Sequence, residues 1–195
     1  MAYITTADLK AYQNIPTGTT THDTLLAAFI VRAQAIIDGH CGRTFEAATN
    51  TAKYFDALSD VDGRTLWVGA HDLASIASIY NGDDPYTVIA SDEYVTEPRN
   101  GTPIYAIRLL GSSGVSWTYE EDPENAISVT GKWAYSVTAP ADIQQATIRM
   151  ASYLYRQRDN SGDLDRALLA EGRVILPTDL PGDVARILRP YVREV

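Results

Sequence analysis

Residues 23–42 read DTLLAAFIVRAQAIIDGHCG and carry a long, regular apolar pattern. The apolar side chains recur at spacings of three and four residues, which places them along one side of an α-helix. Asp23 suits the cap position at the start, and Gly39 and Gly42 flank the expected end. The pattern therefore predicts a helix over residues 24–40. Its expected buried stripe comprises Leu25, Leu26, Phe29, Ile30, Ala33, Ile36 and Ile37.

Helices are also predicted on both sides of this segment. Thr5 precedes Asp8 by three residues, a spacing close to a capping box, and predicts a short helix over residues 6–13. Pro140 has a fixed φ that suits a first helical turn, and it predicts a long helix over residues 141–158. The inward side chains of the long helix are expected to be Ile143, Ala146, Met150, Tyr153 and Leu154.

The last part of the chain is expected to hold one more helix. A short helix fits residues 183–188 and ends near Pro190. Residues 159–182 contain Gly and Asp and then Pro, which is typical of a mobile arm. A helical turn is expected within this arm at Leu164–Leu169.

The middle of the chain differs from both ends in charge and in pattern. The net charge of −9 lies entirely in residues 44–135, which hold fourteen acids and five bases. Short segments with partial alternation, separated by turn signals such as Asn81-Gly82-Asp83, predict an antiparallel β module. The expected strands are Thr65–Val68, Leu73–Tyr80, Tyr86–Ala90, Glu93–Glu97, Ile104–Leu110, Ser116–Thr118 and Ile127–Thr130.

The predicted fold class is therefore α+β, a helical frame interrupted by an antiparallel β insertion. Two helices precede the insertion, and one long and one short helix follow it. The expected divisions are residues 1–43 for the first helices, 44–135 for the β insertion, 136–158 for the long helix, and 159–195 for the arm and a docking segment.

Composition excludes several classes of protein. An apolar fraction of 45% over 195 residues argues against disorder, and we expect neither a membrane span nor a secretory signal. The lone Cys41 is compatible with a reducing compartment. The surplus of acids argues against a protein that grips nucleic acid, because such binding depends on Lys and Arg against phosphate.

No catalytic, cofactor or metal site is predicted. His22, His40 and His71 each have an acid nearby, but none has the paired spacing of a zinc site. Cys41 continues the apolar stripe of its helix, which favours a buried structural cysteine over a nucleophile. The acids of residues 120–124 lack the central glycine of a calcium loop, so a solvated acidic hairpin is the default interpretation.

The order of the N-terminal segments resembles a known family. Residues 3–12, YITTADLKAY, resemble the first helix of the head–tail connector proteins of tailed phages, also called head completion or adaptor proteins. Residues 23–38, followed by Gly42-Arg43-Thr44-Phe45, resemble the family's second helix and its Gly-Arg-x-Phe exit.

The C-terminal segments follow the same order. Residues 127–135, ISVTGKWAY, and 140–146, PADIQQA, are similar to the family's last strand and the start of its third helix. Residues 180–191, LPGDVARILRPY, are similar to its C-terminal element. The acidic middle matches no family motif residue by residue.

The resemblance implies a structural virion protein, made in the bacterial cytoplasm and located in the neck of the particle. It would assemble as a ring, typically of twelve copies, under the portal protein. The ring would extend the channel through which packaged DNA passes without specific binding, and would provide the attachment surface for a stopper or tail-completion protein. No cofactor and no membrane partner are expected.

Three groups of residues are candidates for these contacts. Portal or subunit contacts are assigned to the C-terminal residues Arg186, Leu188, Arg189, Pro190, Tyr191 and Arg193. From residue 141 onward the chain has eight arginines and no lysine, and the candidates for subunit packing are Arg149, Arg156 and Arg158. The candidates for channel-facing acids are Asp83, Asp84, Glu120, Glu121, Asp122 and Glu124.

Two alternatives from other classes remain open. A carbohydrate- or protein-binding β module would expose Trp67, Trp117 and Trp133 as a row on one face. A hydrolase would bring two or three of the histidines and acids together in a pocket.

Overall fold

A computed structural model describes residues 2–157, 168–170, 173–175 and 180–193, with the backbone alone in the two short segments. The chain forms two compact units. The helical unit comprises residues 2–42 and 140–195, and the β unit comprises residues 43–139. Helices together with antiparallel sheets confirm the predicted α+β class.

The described residues of the helical unit form four α-helices, and the predicted capping box is present at the first. The Thr5 hydroxyl accepts from the Asp8 backbone N–H at 3.2 Å, and the Thr5 backbone N–H donates to the Asp8 carboxylate at 2.7 Å. A short 3-10 turn, Arg189–Tyr191, follows the last helix. The helices are α1 Thr6–Tyr12, α2 Asp23–Cys41, α3 Ala141–Gln157 and α4 Gly182–Leu188.

The buried stripe of α2 is narrower than predicted. Leu25 is 39% exposed, so its assignment to the core is wrong, and Phe29 and Ile36 are half-buried. Gly42 ends the helix in the left-handed region at φ +62°, a conformation that glycine adopts without steric cost. The fully buried residues, spaced three and four apart, are Leu26, Ile30, Ala33, Ile37 and Cys41.

Among the described residues, α2 is by length and composition apolar enough to cross a membrane, contrary to our expectation. Its most apolar 18-residue window has a mean hydropathy of 1.2, yet only 28% of that window is buried. The buried stripe packs against α1 and α3. The apolar character of α2 therefore extends beyond the face that this packing covers.

Helix α3 supplies the opposing surface of the helical core. Ile143, Ala146 and Met150 are buried as predicted, whereas Tyr153 and Leu154 are half-buried. The buried polar side chains of α3 are satisfied within the unit. The hydroxyl of Thr147 donates to the carbonyl of Ile143, one turn earlier, at 2.7 Å, and Ser152 accepts from Gln13. In α1, Lys10 is 4% exposed and pairs with Asp23 at 2.5 Å.

The predicted helical turn at Leu164–Leu169 is wrong where the structure describes it. Two short antiparallel strands, β8 Leu168–Ala170 and β9 Arg173–Ile175, pair with Leu168 opposite Ile175. The extended backbone at Leu168 and Leu169 excludes a helix there. The remainder of the predicted arm lies outside the described residues, except for residues 180–182.

The β unit contains seven strands in two antiparallel sheets. One sheet has the order β1-β7-β4, and the other has the order β2-β3-β6-β5. Large apolar side chains such as Leu66, Ile79, Ile107, Ile127 and Val129 form one hydrophobic core. The strands are β1 Thr51–Phe55, β2 Val61–Asp62, β3 Thr65–Trp67, β4 Ser75–Tyr80, β5 Tyr94–Glu97, β6 Ala106–Leu109 and β7 Ile127–Lys132.

In the β unit, two predicted strands are absent and two observed strands were not predicted. Within residues 86–90, only Val88 forms a bridge, to Tyr80, and the Thr87 N–H donates to the Asp83 carboxylate instead of a ladder. Residues 116–118 form no ladder: the Asn81 side chain bonds the Ser116 carbonyl and the Thr118 N–H, and the Thr118 carbonyl accepts from the Gly82 N–H. The sequence did not predict β1 and β2. Because β1 is largely exposed and β2 has only two residues, neither shows a clear alternation of apolar and polar side chains.

The Gly-Arg-x-Phe segment has a structural role at the start of the β unit. Phe45 is fully buried and packs against Tyr135 with ring centroids 5.6 Å apart. Arg43 pairs with Asp72 at 3.3 Å and lies over the Tyr135 ring at 5.5 Å. These contacts fix the entry of the chain into the β unit.

Candidate functional site

The predicted C-terminal contact segment is docked on its own helical unit. Val184 and Leu188 of α4 are fully buried, and α4 packs against α3. Tyr191 is half-buried and donates from its hydroxyl to Asp142 at 3.3 Å. The backbone N–H of Arg193 donates to the Cys41 carbonyl at 2.9 Å. Leu188 is therefore a packing residue, which corrects its assignment as a direct contact.

The exposed part of this segment is basic and apolar. Arg186, Arg189 and Pro190 are exposed, and Val192 is 38% exposed. Among the described residues, the structure pairs neither Arg186 nor Arg189 with a carboxylate. Two guanidinium groups and two apolar side chains are thus presented to solvent on a segment whose backbone is held in place.

Arg149 has an intramolecular partner. It donates to Asp183 at 2.5 Å and so ties the first turn of α4 to α3. This hydrogen bond lowers the pKa of the Asp183 carboxyl below its usual value. Arg149 therefore forms its ion pair within its own chain. Arg156 is exposed on α3, and Arg158 lies outside the described residues.

The structure brings all six predicted channel-facing acids together in the β unit. They line a recess with a volume of about 470 Å³, to which Gly82, Tyr86, Asn125 and Ala126 also contribute. Asp83 is half-buried, and the other five acids are exposed. The acids are Asp83, Asp84, Glu120, Glu121, Asp122 and Glu124.

Asn81 and Gly82, which the sequence predicts only as part of a turn, make close contacts beside this recess. The side chain of Asn81 is 2% exposed, donates to the Ser116 carbonyl at 2.8 Å, and accepts from the Thr118 N–H at 2.9 Å. Gly82 leaves room for Ala126, because a Cβ at Gly82 would lie 2.5 Å from the Ala126 Cβ. The turn signal Asn81-Gly82-Asp83 located these residues but did not indicate a buried anchor.

The carboxylates of the recess do not converge on a point. The described part of the chain contains no group of three or more His, Cys, Asp or Glu side chains that could hold a metal ion. The backbone N–H and then the hydroxyl of Thr87 lower the pKa of Asp83. Because the other acids are exposed, the recess is a concave, negatively charged surface.

The tryptophan row expected of a carbohydrate-binding module is not formed. Trp67 is 49% exposed and stacks on Tyr105 with ring centroids 6.3 Å apart. Trp117 and Trp133 are half-buried against the core and donate to the Arg64 carbonyl at 3.0 Å and a β1 carbonyl at 2.9 Å, respectively. The three indoles therefore do not present one row to a ligand.

The histidines do not form the pocket expected of a hydrolase. His22 occupies the N-cap position of α2 without a capping hydrogen bond from its side chain, which corrects the assignment of that position to Asp23. His40 lies in the last turn of α2, and both histidines are exposed. His71 lies in the β unit against the rings of Phe55 and Trp133. Cys41 is buried at the end of the α2 stripe, as predicted.

No family model and no curated protein matches the sequence. Solved structures do match. A chain in the neck of an empty gene transfer agent (GTA) particle, computed with C6 symmetry, aligns with a TM-score of 0.57 and 16% identity over 99% of this chain and 92% of that chain. A chain in the virion of a native GTA particle gives a TM-score of 0.57 and 15% identity, with the same coverage.

The chain has the fold of a GTA neck protein. A third match, to the neck of the native GTA particle computed with C12 symmetry, has a TM-score of 0.53 and 16% identity over 97% of this chain and 89% of that chain. The neck-protein fold extends over both units and confirms the resemblance that the sequence motifs indicated.

Proposed function

We propose that this chain is a head–tail connector, a structural virion protein of the neck that assembles as a ring under the portal. The observation that supports the proposal most strongly is the match over 99% of the chain to a protein in the neck of a GTA particle. The sequence motifs at both ends point to the same family independently of that match. The β insertion and the helical frame would together form one repeating subunit.

The ring would consist of twelve copies. The GTA necks that contain chains with the same fold were computed with C6 or C12 symmetry. A ring requires a heterologous contact, in which one face of each subunit meets a different face of its neighbour. The exposed side of α2 is suited to side-to-side packing, because Ala28, Val31 and Ala35 lie there and Val31 is 64% exposed. Arg156 is a further candidate for this packing.

The acidic recess would border the DNA channel. Carboxylates there would repel the phosphates of packaged DNA and let the duplex slide, which is the inverse of nucleic-acid binding through Lys and Arg. The clustering of the six acids on one surface supports this role. An assembled ring in which all six acids face outward would contradict it.

The exposed C-terminal residues would attach the protein to the portal or to a neighbouring subunit. Arg186 and Arg189 are suited to contact carboxylates of a partner, because the guanidinium group forms paired hydrogen bonds with a carboxylate. The opposite side of the ring would receive a stopper or tail-completion protein. The protein would be made in the bacterial cytoplasm and then incorporated in the neck.

Binding to the portal of the same phage tests the proposal. The full-length protein is expected to co-sediment with purified portal rings, and the double variant R186A/R189A is expected to bind at least about tenfold more weakly. Point variants are preferable to deletion of residues 183–195, because deletion would also remove the buried Val184 and Leu188.

The matched control is R108A, which removes an exposed arginine from β6. It is expected to bind the portal like the wild type. Failure of the wild-type protein to bind the portal under conditions in which the portal itself is intact would contradict the proposed function.

A further inference from the structure

The outer face of the sheet β1-β7-β4 carries a row of exposed tyrosines that the proposed function leaves unused. Tyr54 and Tyr80 both lie directly opposite Ser128, and Val88 bridges to Tyr80 on the other side. Residues directly opposite one another in an antiparallel sheet project from the same face. The next row on the same face contains the smaller residues Ala52, Thr130 and Ser78. The tyrosine face comprises Ala52, Tyr54, Ser78, Tyr80, Val88, Ser128 and Thr130.

The tyrosine face is uncharged in an acidic unit. Residues 44–135 hold nineteen charged side chains, fourteen acids and five bases. Lys132 lies on the same side of β7 as Ser128 and Thr130, one row beyond the face, and the two rows that contain the tyrosines hold no charged residue. The large side chains of the face are open to solvent: Tyr54 is 61%, Tyr80 37% and Val88 54% exposed. The solvated face of an antiparallel sheet normally carries polar and charged residues. This face instead has the composition of a covered surface.

The chemistry of the face fits a protein partner. Interface centres are depleted of charge and enriched in tyrosine, whose ring buries apolar area while its hydroxyl keeps a hydrogen bond. In the register of the sheet, the small residue Ser128 lies between Tyr54 and Tyr80. A small side chain between two large ones leaves room for an apolar side chain of a partner, such as valine or proline.

One edge of the face is strongly negative. Gly82, two residues after Tyr80, and Ala126, two residues before Ser128, both line the acidic recess. The partner should therefore combine an apolar surface with positive charge at one side.

The chain itself carries such a surface. The C-terminal segment exposes Arg186 and Arg189 together with Pro190 and Val192. It belongs to the helical unit, so it is a different patch from the tyrosine face. Two different and complementary patches on one chain are what a heterologous, ring-forming contact requires.

We propose that the tyrosine face of one copy binds the C-terminal segment, Arg186 to Val192, of the next copy in the ring. Pro190 and Val192 would lie between Tyr54 and Tyr80, and the two arginines would reach the acids at the edge of the recess. Two arginines pair with two of the six carboxylates, so four would remain facing the channel. The inference rests on the proposed ring and narrows the C-terminal contact to a second copy.

Cysteine cross-linking between separate chains tests the contact. S128C protein and V192C protein are mixed with portal rings and oxidised. The native Cys41 is not substituted in either protein, because it is buried. A disulfide-linked dimer containing one chain of each kind is expected. The control pair, S128C with T102C, places the second cysteine at an exposed site in the β unit and is expected to remain unlinked.

A charge exchange tests the same contact without cysteines. R186E/R189E is expected to reduce the fraction of protein in rings by about tenfold or more, and E120R/E121R in the same chain is expected to restore it. Y54D/Y80D is expected to prevent ring formation. The single variant Y54D, at the more exposed of the two positions, is expected to weaken ring formation while its thermal unfolding stays close to that of the wild type, since Tyr54 is 61% exposed.

The outcomes separate this inference from the proposed function. Rings that form normally from Y54D/Y80D, or a V192C chain that cross-links to the portal and not to S128C, would overturn the inference and leave the connector role intact. Failure of the wild-type chain to form rings on its portal would overturn the proposed ring itself.

Discussion

At the scale of single residues, a few polar side chains hold the candidate surfaces in place. Arg149 and Asp183 tie α4 to α3, and Asn81 ties residues 116–118 to the end of β4. Neither role follows from the sequence, because each pair is separated by more than thirty residues and only the folded chain brings the partners together. The capping box at Thr5 and Asp8 was predictable because its two partners are three residues apart.

The Arg149–Asp183 pair predicts a pH-dependent contribution to stability. The pKa of Asp183 is lowered in the folded protein, so its contribution is present above the usual carboxyl pKa and is lost as the pH falls through the folded-state value. D183N is expected to melt slightly below the wild type at pH 7 and at the same temperature near pH 2. The effect should be small because both side chains are solvent-exposed. An equal difference at both pH values would contradict the prediction.

Asn81 is expected to be the most sensitive polar residue near the recess. N81A removes two hydrogen bonds and leaves the Ser116 carbonyl and the Thr118 N–H without this partner, which should lower the free energy of unfolding by about 2 kcal/mol. Urea unfolding measures the change. N100A, at an exposed position, serves as the control and should differ little from the wild type. A near-neutral N81A would show that Asn81 is not the anchor.

At the scale of elements, periodicity predicted the helices better than the strands. The bounds of α2 and α3 agree with prediction within one residue, because each has a long apolar stripe, α2 ends at Gly42 and α3 begins directly after Pro140. Strand β2 has two residues and β1 has one buried position, so their patterns carry too little information. The packing of the β unit depends instead on close contacts between neighbouring strands. In the sequence, the only sign of these contacts is a glycine at some positions.

Gly131 in β7 is one of these contacts. A Cβ at this position would lie 2.1 Å from the Ser75 carbonyl oxygen and 3.0 Å from a methyl carbon of Leu73, beside the bulge in β4. G131A is therefore expected to lower the free energy of unfolding by about 3 kcal/mol. G111A is the matched control, because a Cβ at Gly111 meets nothing within 4 Å. Equal stability of the two variants in thermal unfolding would contradict the prediction.

At the scale of the whole molecule, each unit exposes a distinctive surface, and these surfaces carry the proposed assembly. The helical unit exposes part of an apolar helix, and the β unit exposes an uncharged tyrosine face beside an acidic recess. The sequence located the acids and the C-terminal arginines but not the tyrosine face. Its residues come from three strands and one loop, and their common side depends on a register that only the folded sheet defines.

Cryo-electron microscopy of the neck of virus particles that contain this protein tests the central claim most directly. We predict a closed ring of twelve copies beneath the portal, coaxial with the channel, with both units of each copy contributing to the ring. Particles in which the chain is absent from the neck, or is present there as isolated copies without a ring, would contradict the account.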